Sequence, residues 1–110
     1  MEKIKENESF LCTVASTRFK RSGKVLIKGA KSRQLDALCE IILNVLKGTI
    51  TLPTAFVKKF KKHKAILRKL AKKCLKKLFR KKLLIKYFTI VRHIITAALP
   101  ICVALAPALL

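Results

Sequence analysis

The chain has 110 residues, 26 Lys and Arg against 5 acids, a formal charge of +21 and an apolar fraction of 52%. That length holds one small domain at most, and the apolar fraction excludes an ordinary disordered basic tail. All five acids (Glu2, Glu6, Glu8, Asp36, Glu40) lie in the first 40 residues, and residues 41–110 carry 17 Lys or Arg with no acid. A one-signed stretch of that length excludes the mixed-charge surface of a typical soluble domain and implies an anionic partner, nucleic acid or anionic lipid.

The first nine residues read as a mixed-charge, frayed end. Ser9 is placed to cap a short helix over Phe10–Arg21, with Phe10, Val14 and Phe19 on one side and Gly23 as its stop. Val25, Leu26 and Ile27 form an apolar knot too short to assign, and Gly29 breaks the chain again. A well-patterned helix follows over 34–47. Ser32 is its expected N-cap, and Gln34 and Asp36 lie in its first turn, where negative charge suits the helix dipole. Leu35, Leu38, Ile42, Val45 and Leu46 recur at steps of three and four, the apolar stripe of a helix. Gly48 sits where a left-handed C-terminal cap belongs. Thr49–Leu52 is an extended connector, and Pro53 begins or closely precedes the next helix.

That next helix is expected to run unbroken over about 54–86. Fourteen of the 25 residues from Lys58 to Lys82 are Lys or Arg. At 100° per residue, Phe60, Leu67, Leu70, Ala71, Cys74, Leu75 and Leu78 fall in one sector and the cations on the other side. With no acids available for i,i+4 pairs, like charges destabilise the free helix. A bound anion, or packing of the apolar stripe on helix 34–47, must offset the repulsion. The expected packing residues are Leu35, Leu38, Ile42, Val45, Phe60, Leu67, Leu70, Cys74 and Leu78. From Leu83 the only ionisable groups are Lys86, Tyr87, Arg92, His93 and Cys102, and Ile94–Leu110 is an uncharged run holding Pro100 and Pro107. It reads as a hydrophobic helix broken at Pro100. The fold class is therefore mostly α without an extensive core. Its segments are a mixed-charge part (1–31), a helical basic domain (32–87) and a hydrophobic tail (88–110).

A helix carrying about ten cations on its wet face fits a polyanion. Each phosphate neutralised on DNA releases counterions, and five to eight contacts predict a log–log salt slope of about −5 to −7. Lysines act as point charges that position without reading bases, and no Asn, Gln or Arg cluster suits base edges between residues 54 and 82. The expected mode is sequence-independent DNA binding and charge neutralisation through Lys58, Lys59, Lys61, Lys62, Lys69, Lys72, Lys73, Lys76, Arg80 and Lys81. The alternative is a membrane-active or tail-anchored protein: the same amphipathic helix suits anionic headgroups, and the tail has the minimum length for a span. Alternatively, the tail covers helix 34–47. Cys12, Cys39, Cys74 and Cys102 form no CxxC pair, and the His residues do not complete a zinc pattern. No nucleophile–base–orienter set or phosphate-cradling glycine loop is present, so neither an enzyme nor a cofactor is expected. The polar start, Met1–Phe10, does not read as a secretory leader, so an intracellular location is expected.

One resemblance adds to this. Gln34-Leu-Asp-Ala-Leu-Cys-Glu-Ile-Ile-Leu-Asn-Val-Leu-Lys-Gly48 is followed by Thr-Ile-Thr-Leu52 and by Phe60-Lys-Lys-His-Lys-Ala-Ile-Leu-Arg-Lys-Leu70. With the basic Thr17–Ala30 stretch, these blocks resemble small basic proteins of Maverick/Polinton elements and adintoviruses, over roughly residues 10–85. Those proteins are similar to the precursor of adenovirus protein X, a basic core protein associated with packaged DNA. The resemblance implies a DNA-packaging role in a virion or mobile element. Independently of it, the basic runs Lys58–Lys64 and Lys72–Lys77 suit nuclear import, and further readings are a capsid-lining protein that grips a partner through helix 34–47 and self-association through the hydrophobic tail. Where that family has a Gly-Gly step before its hydrophobic end, this chain has Lys82-Leu-Leu-Ile-Lys-Tyr-Phe88, and no glycine follows Gly48.

Overall fold

A computed structural model describes residues 2–72 and 76–109, with side chains over 3–72 and 76–101. The described residues are mostly α-helical: α1 (Glu2–Glu6), α2 (Glu8–Ser16), α3 (Lys20–Lys28), α4 (Ser32–Leu46), α5 (Thr54–Lys61), α6 (Lys64–Ala71), α7 (Lys77–Lys86) and α8 (Phe88–Leu109), with no strand among them. The helix expected at 34–47 is α4. Its first N–H groups are handled differently from expectation: Ser32 is the first helical residue, and the backbone N–H of Lys31 donates to Gln34 Oε1 at 2.8 Å. Gly48 does end the helix in the left-handed region, at φ 77°. A Cβ there would be strained whatever the surrounding space.

The expectation of little core is corrected. Side chains from each of these helices meet in one buried cluster. Leu35, Ala37, Leu38, Ile41 and Ile42 of α4 form its centre, with Leu11 and Val14 of α2, Ile27 of α3, Leu67 and Leu70 of α6, Leu84 of α7, and Phe88, Val91, Ile94 and Ile95 of α8 around them. The radius of gyration, 12.7 Å, is what a compact domain of this length has, about 13 Å. Cationic repulsion does not prevent this, because the apolar fraction is ample and nearly all cations remain in water, where their interaction is weak.

The end expected to fray is helical instead, with Ile4 of α1 buried in the core and α2 starting at Glu8, ahead of the expected cap Ser9. Three further boundaries differ from expectation, each for a packing reason. The long helix of 54–86 is not continuous. It is interrupted at Lys62–His63, and Lys72 and Lys76 also lie outside any helix, leaving α5, α6 and α7. An unbroken helix of that length would measure about 50 Å, and the molecule's largest extent is 33 Å. Breaking it lets Phe60, Leu67, Leu70 and Leu84 all reach one core, and with no i,i+4 ion pairs to lose the breaks cost little. Second, the short helix expected over Phe10–Arg21 breaks at Thr17–Phe19, and Gly23 lies inside α3 rather than stopping it. A Cβ on Gly23 would come within 2.4 Å of the Phe88 ring, so this glycine serves the close approach of α3 to α8. Third, α8 continues through Pro100. A proline removes one backbone hydrogen bond and bends a helix, but packing on either side can hold it together. Ile94, Ile95, Ala98 and Leu99, just before it, are all buried.

α8 packs along α2 and α4, so the tail covers α4 and completes the core. Among the described residues, no single helix is long and apolar enough to cross a membrane; α7 and the Phe88–Ile101 part of α8 reach that length and hydropathy only together, across an 88° bend.

Candidate nucleic-acid interface

The basic block divides by what its cations touch. On α5 and the turn after it, Lys58, Lys59, Lys61 and Lys62 are exposed, and so are Lys69 on α6, Lys72 after it and Lys76 before α7. Their positions follow from the stripe beneath them: Phe60, Leu67 and Leu70 are buried, and α6 lies directly on α4. These seven lysines have no acid on their own elements, so no neighbour in the helix neutralises them. Lys73 and Cys74 lie outside the described residues.

The remaining two expected contacts do other work. Arg80 is the one buried charged residue among those described. Its Nη1 pairs with Asp36 Oδ1 at 2.8 Å and its Nη2 donates to the Lys72 carbonyl at 3.3 Å. It therefore ties α7 to α4 and closes the C-terminal end of α6. Lys81 donates its Nζ to the Lys28 carbonyl at 2.6 Å, at the end of α3. A cation there satisfies a free terminal carbonyl and suits the negative end of the helix dipole. Arg80 is thus corrected from phosphate contact to internal brace. Leu78 is corrected too: instead of packing on α4, it is 76% exposed.

Reading the block by its density missed a second set of cations. Arg18, Lys20, Arg21, Lys24, Lys28, Lys31 and Arg33 are all exposed, on α3, its flanks and the first turn of α4. No acid occurs between Glu8 and Asp36, and that acid-free interval was the available signal. α3 lies against α7, so the two basic stretches, far apart in sequence, are neighbours in space. Lys64, Arg68, Lys77 and Lys82 are also exposed and extend the same surface charge.

Two titrating groups report on this environment. Burial of His93, then the charges of Arg92 and Lys59, lower its pKa from the ordinary imidazole value, so α8 senses the cations of α5. Burial pushes the Cys39 thiol up to about 11, with a smaller opposing effect of Arg80, which keeps it protonated and unreactive at neutral pH. Nearby, His63 meets the Tyr87 ring edge-on at 6.1 Å, and Lys86 Nζ lies 5.6 Å from the centre of that ring. The chemistry of the surface is that of many separate ammonium and guanidinium donors with few carboxylates among them, suited to holding a repeating anion. No protein-family model, no curated protein and no solved structure matches this chain.

Proposed function

We propose that the protein binds DNA without sequence preference and neutralises its charge, in the manner of a packaging protein. The observation that carries this reading is the set of seven solvent-facing lysines on α5, α6 and their flanks, on a chain of net charge +21. Lysine ammonium groups take phosphate oxygens without a fixed geometry, and every neutralised phosphate releases counterions. The exposed cations of α3 add to the same field. Arg80 takes no part, being held by Asp36. The resemblance to the basic core proteins of Maverick/Polinton elements and adintoviruses supports the same reading.

The test uses the full chain, because α8 belongs to the core and a truncated chain is not a fair probe. Binding of duplex DNA is measured across salt concentrations for the parent and for a variant with Lys58, Lys59, Lys61 and Lys62 all replaced by Gln. The parent is expected to give a slope of about −5 to −7, and the variant one shallower by about 2 to 4. Absence of binding at low salt, or an unchanged slope in the variant, would overturn the reading.

A further inference from the structure

The first turn of α7 exposes two large apolar side chains side by side, Leu78 at 76% and Phe79 at 47%. At helical spacing, Leu78, Phe79, Lys82 and Lys86 share the outer face of α7, opposite the buried Arg80 and Leu84. Lys76, Lys77, Lys82 and Lys86 are all exposed around that pair. The adjoining α3 exposes Val25 between Lys24 and Lys28, and Phe19 is exposed between Arg18 and Lys20 just before it. Four of the five large hydrophobics exposed among the described residues therefore belong to α3, α7 and their flanks, each beside cations.

We propose that this face docks on an anionic lipid bilayer, with Leu78 and Phe79 entering the headgroup–acyl boundary and the lysines around them holding the headgroups. Charge complementarity selects this occupant. A second copy of the chain would bring another +21 against the same lysines, and like charges repel at short range. A phosphate backbone satisfies the lysines but leaves Leu78 in water. An anionic bilayer offers both layers at the right spacing: a sheet of negative charge, and hydrocarbon a few ångströms beneath it. Long lysine stems reach upward to the headgroups while an apolar neighbour goes deeper. The docking element is a folded helical face with its apolar pair on one turn, so the hydrophobic tail stays in the core.

The chain has no Trp, so Phe79→Trp gives a single reporter in the full-length protein. Its emission is measured with phosphatidylcholine vesicles containing about one part in four phosphatidylserine, with pure phosphatidylcholine vesicles, and with duplex DNA. A blue shift with the anionic vesicles alone is expected. A second variant, Leu78→Ser with Phe79→Ser, alters only exposed positions. It is expected to weaken vesicle binding at least about tenfold, roughly the loss of two interfacial anchors, while its DNA affinity and melting temperature stay near the parent's. Vesicle binding unchanged in the double variant would overturn the proposal. So would emission from the Phe79→Trp reporter that shifts with DNA and not with vesicles, which would make the pair a wedge between bases. Because DNA binding is measured on the same proteins, its failure is distinguishable from failure of the lipid reading.

Discussion

Gly23 and Arg80 illustrate how single side chains hold this fold against its own charge. The Phe88 ring occupies the space where a Cβ of residue 23 would sit. Gly23→Ala is expected to lower stability by about 1–3 kcal/mol, the usual cost of overpacking a filled core, read as a drop in thermal midpoint. The Arg80–Asp36 pair is asymmetric. Arg80's side chain is 9% exposed, and Asp36's 41%. Removing the arginine lets the carboxylate rehydrate, whereas removing the carboxylate strands a buried guanidinium whose Nε already lacks a partner. Asp36→Ala should therefore cost more than Arg80→Met, by about 1–3 kcal/mol; equal midpoints for the two variants would argue against the brace. His93 gives a pH expectation. Its pKa in the folded chain is depressed, so the unfolded state binds the proton more readily. Its contribution to stability is unaffected above the ordinary imidazole pKa and becomes unfavourable as pH falls through that value. A bound polyanion that screens Lys59 should move the His93 titration upward, measurable by NMR.

At the scale of elements, α8 decides what experiments are meaningful. Phe88, Val91, Ile94, Ile95, Ala98 and Leu99 are all buried against the rest of the chain. Deleting residues 88–110 removes them together, at about 1.5–3 kcal/mol for each large side chain, more than a domain of marginal stability can lose. Residues 1–87 alone are expected to show no cooperative melt by circular dichroism; a melt like the parent's would mean that α8 is dispensable. The breaks that separate α5, α6 and α7 have an energetic counterpart. Arg80 and Lys81, both members of the basic block, close the ends of α6 and α3. The block therefore supplies staples as well as surface charge.

Over the whole molecule, 26 cations face 5 acids on a compact body of 12.7 Å radius of gyration. Self-repulsion is spread over the surface and is screened at ordinary ionic strength, where the Debye length is about 8 Å. The thermal midpoint should therefore rise as salt is raised from low concentration, and rise further with a polyanion that binds only the folded state. A midpoint that falls with added salt would show that the charges are net stabilising. Among the described residues, the exposed large apolar side chains are concentrated on α3, α7 and their flanks, each beside cations.

Much of this was legible in the residues alone. Periodicity determined α4, with Leu35, Leu38 and Ile42 buried, because the step of three and four allows only one face to leave water. Gly48 announced its own left-handed φ, which only glycine adopts freely. The run of lysines determined the charge, and exposure followed from the cost of burying it. The tertiary structure alone decided where the basic stretch breaks. Helical spacing is blind to the 33 Å that the molecule spans, and one core cannot be reached from every turn of a helix about 50 Å long. It also decided that Gly23 is a contact and that Arg80 turns inward. Neither Phe88 nor Asp36 is near those residues in sequence, and only folding brings a ring or a carboxylate to them. Extending the apolar stripe straight through the break places Leu78 in the core. With α7 a separate helix beginning at Lys77, the same side chain is exposed.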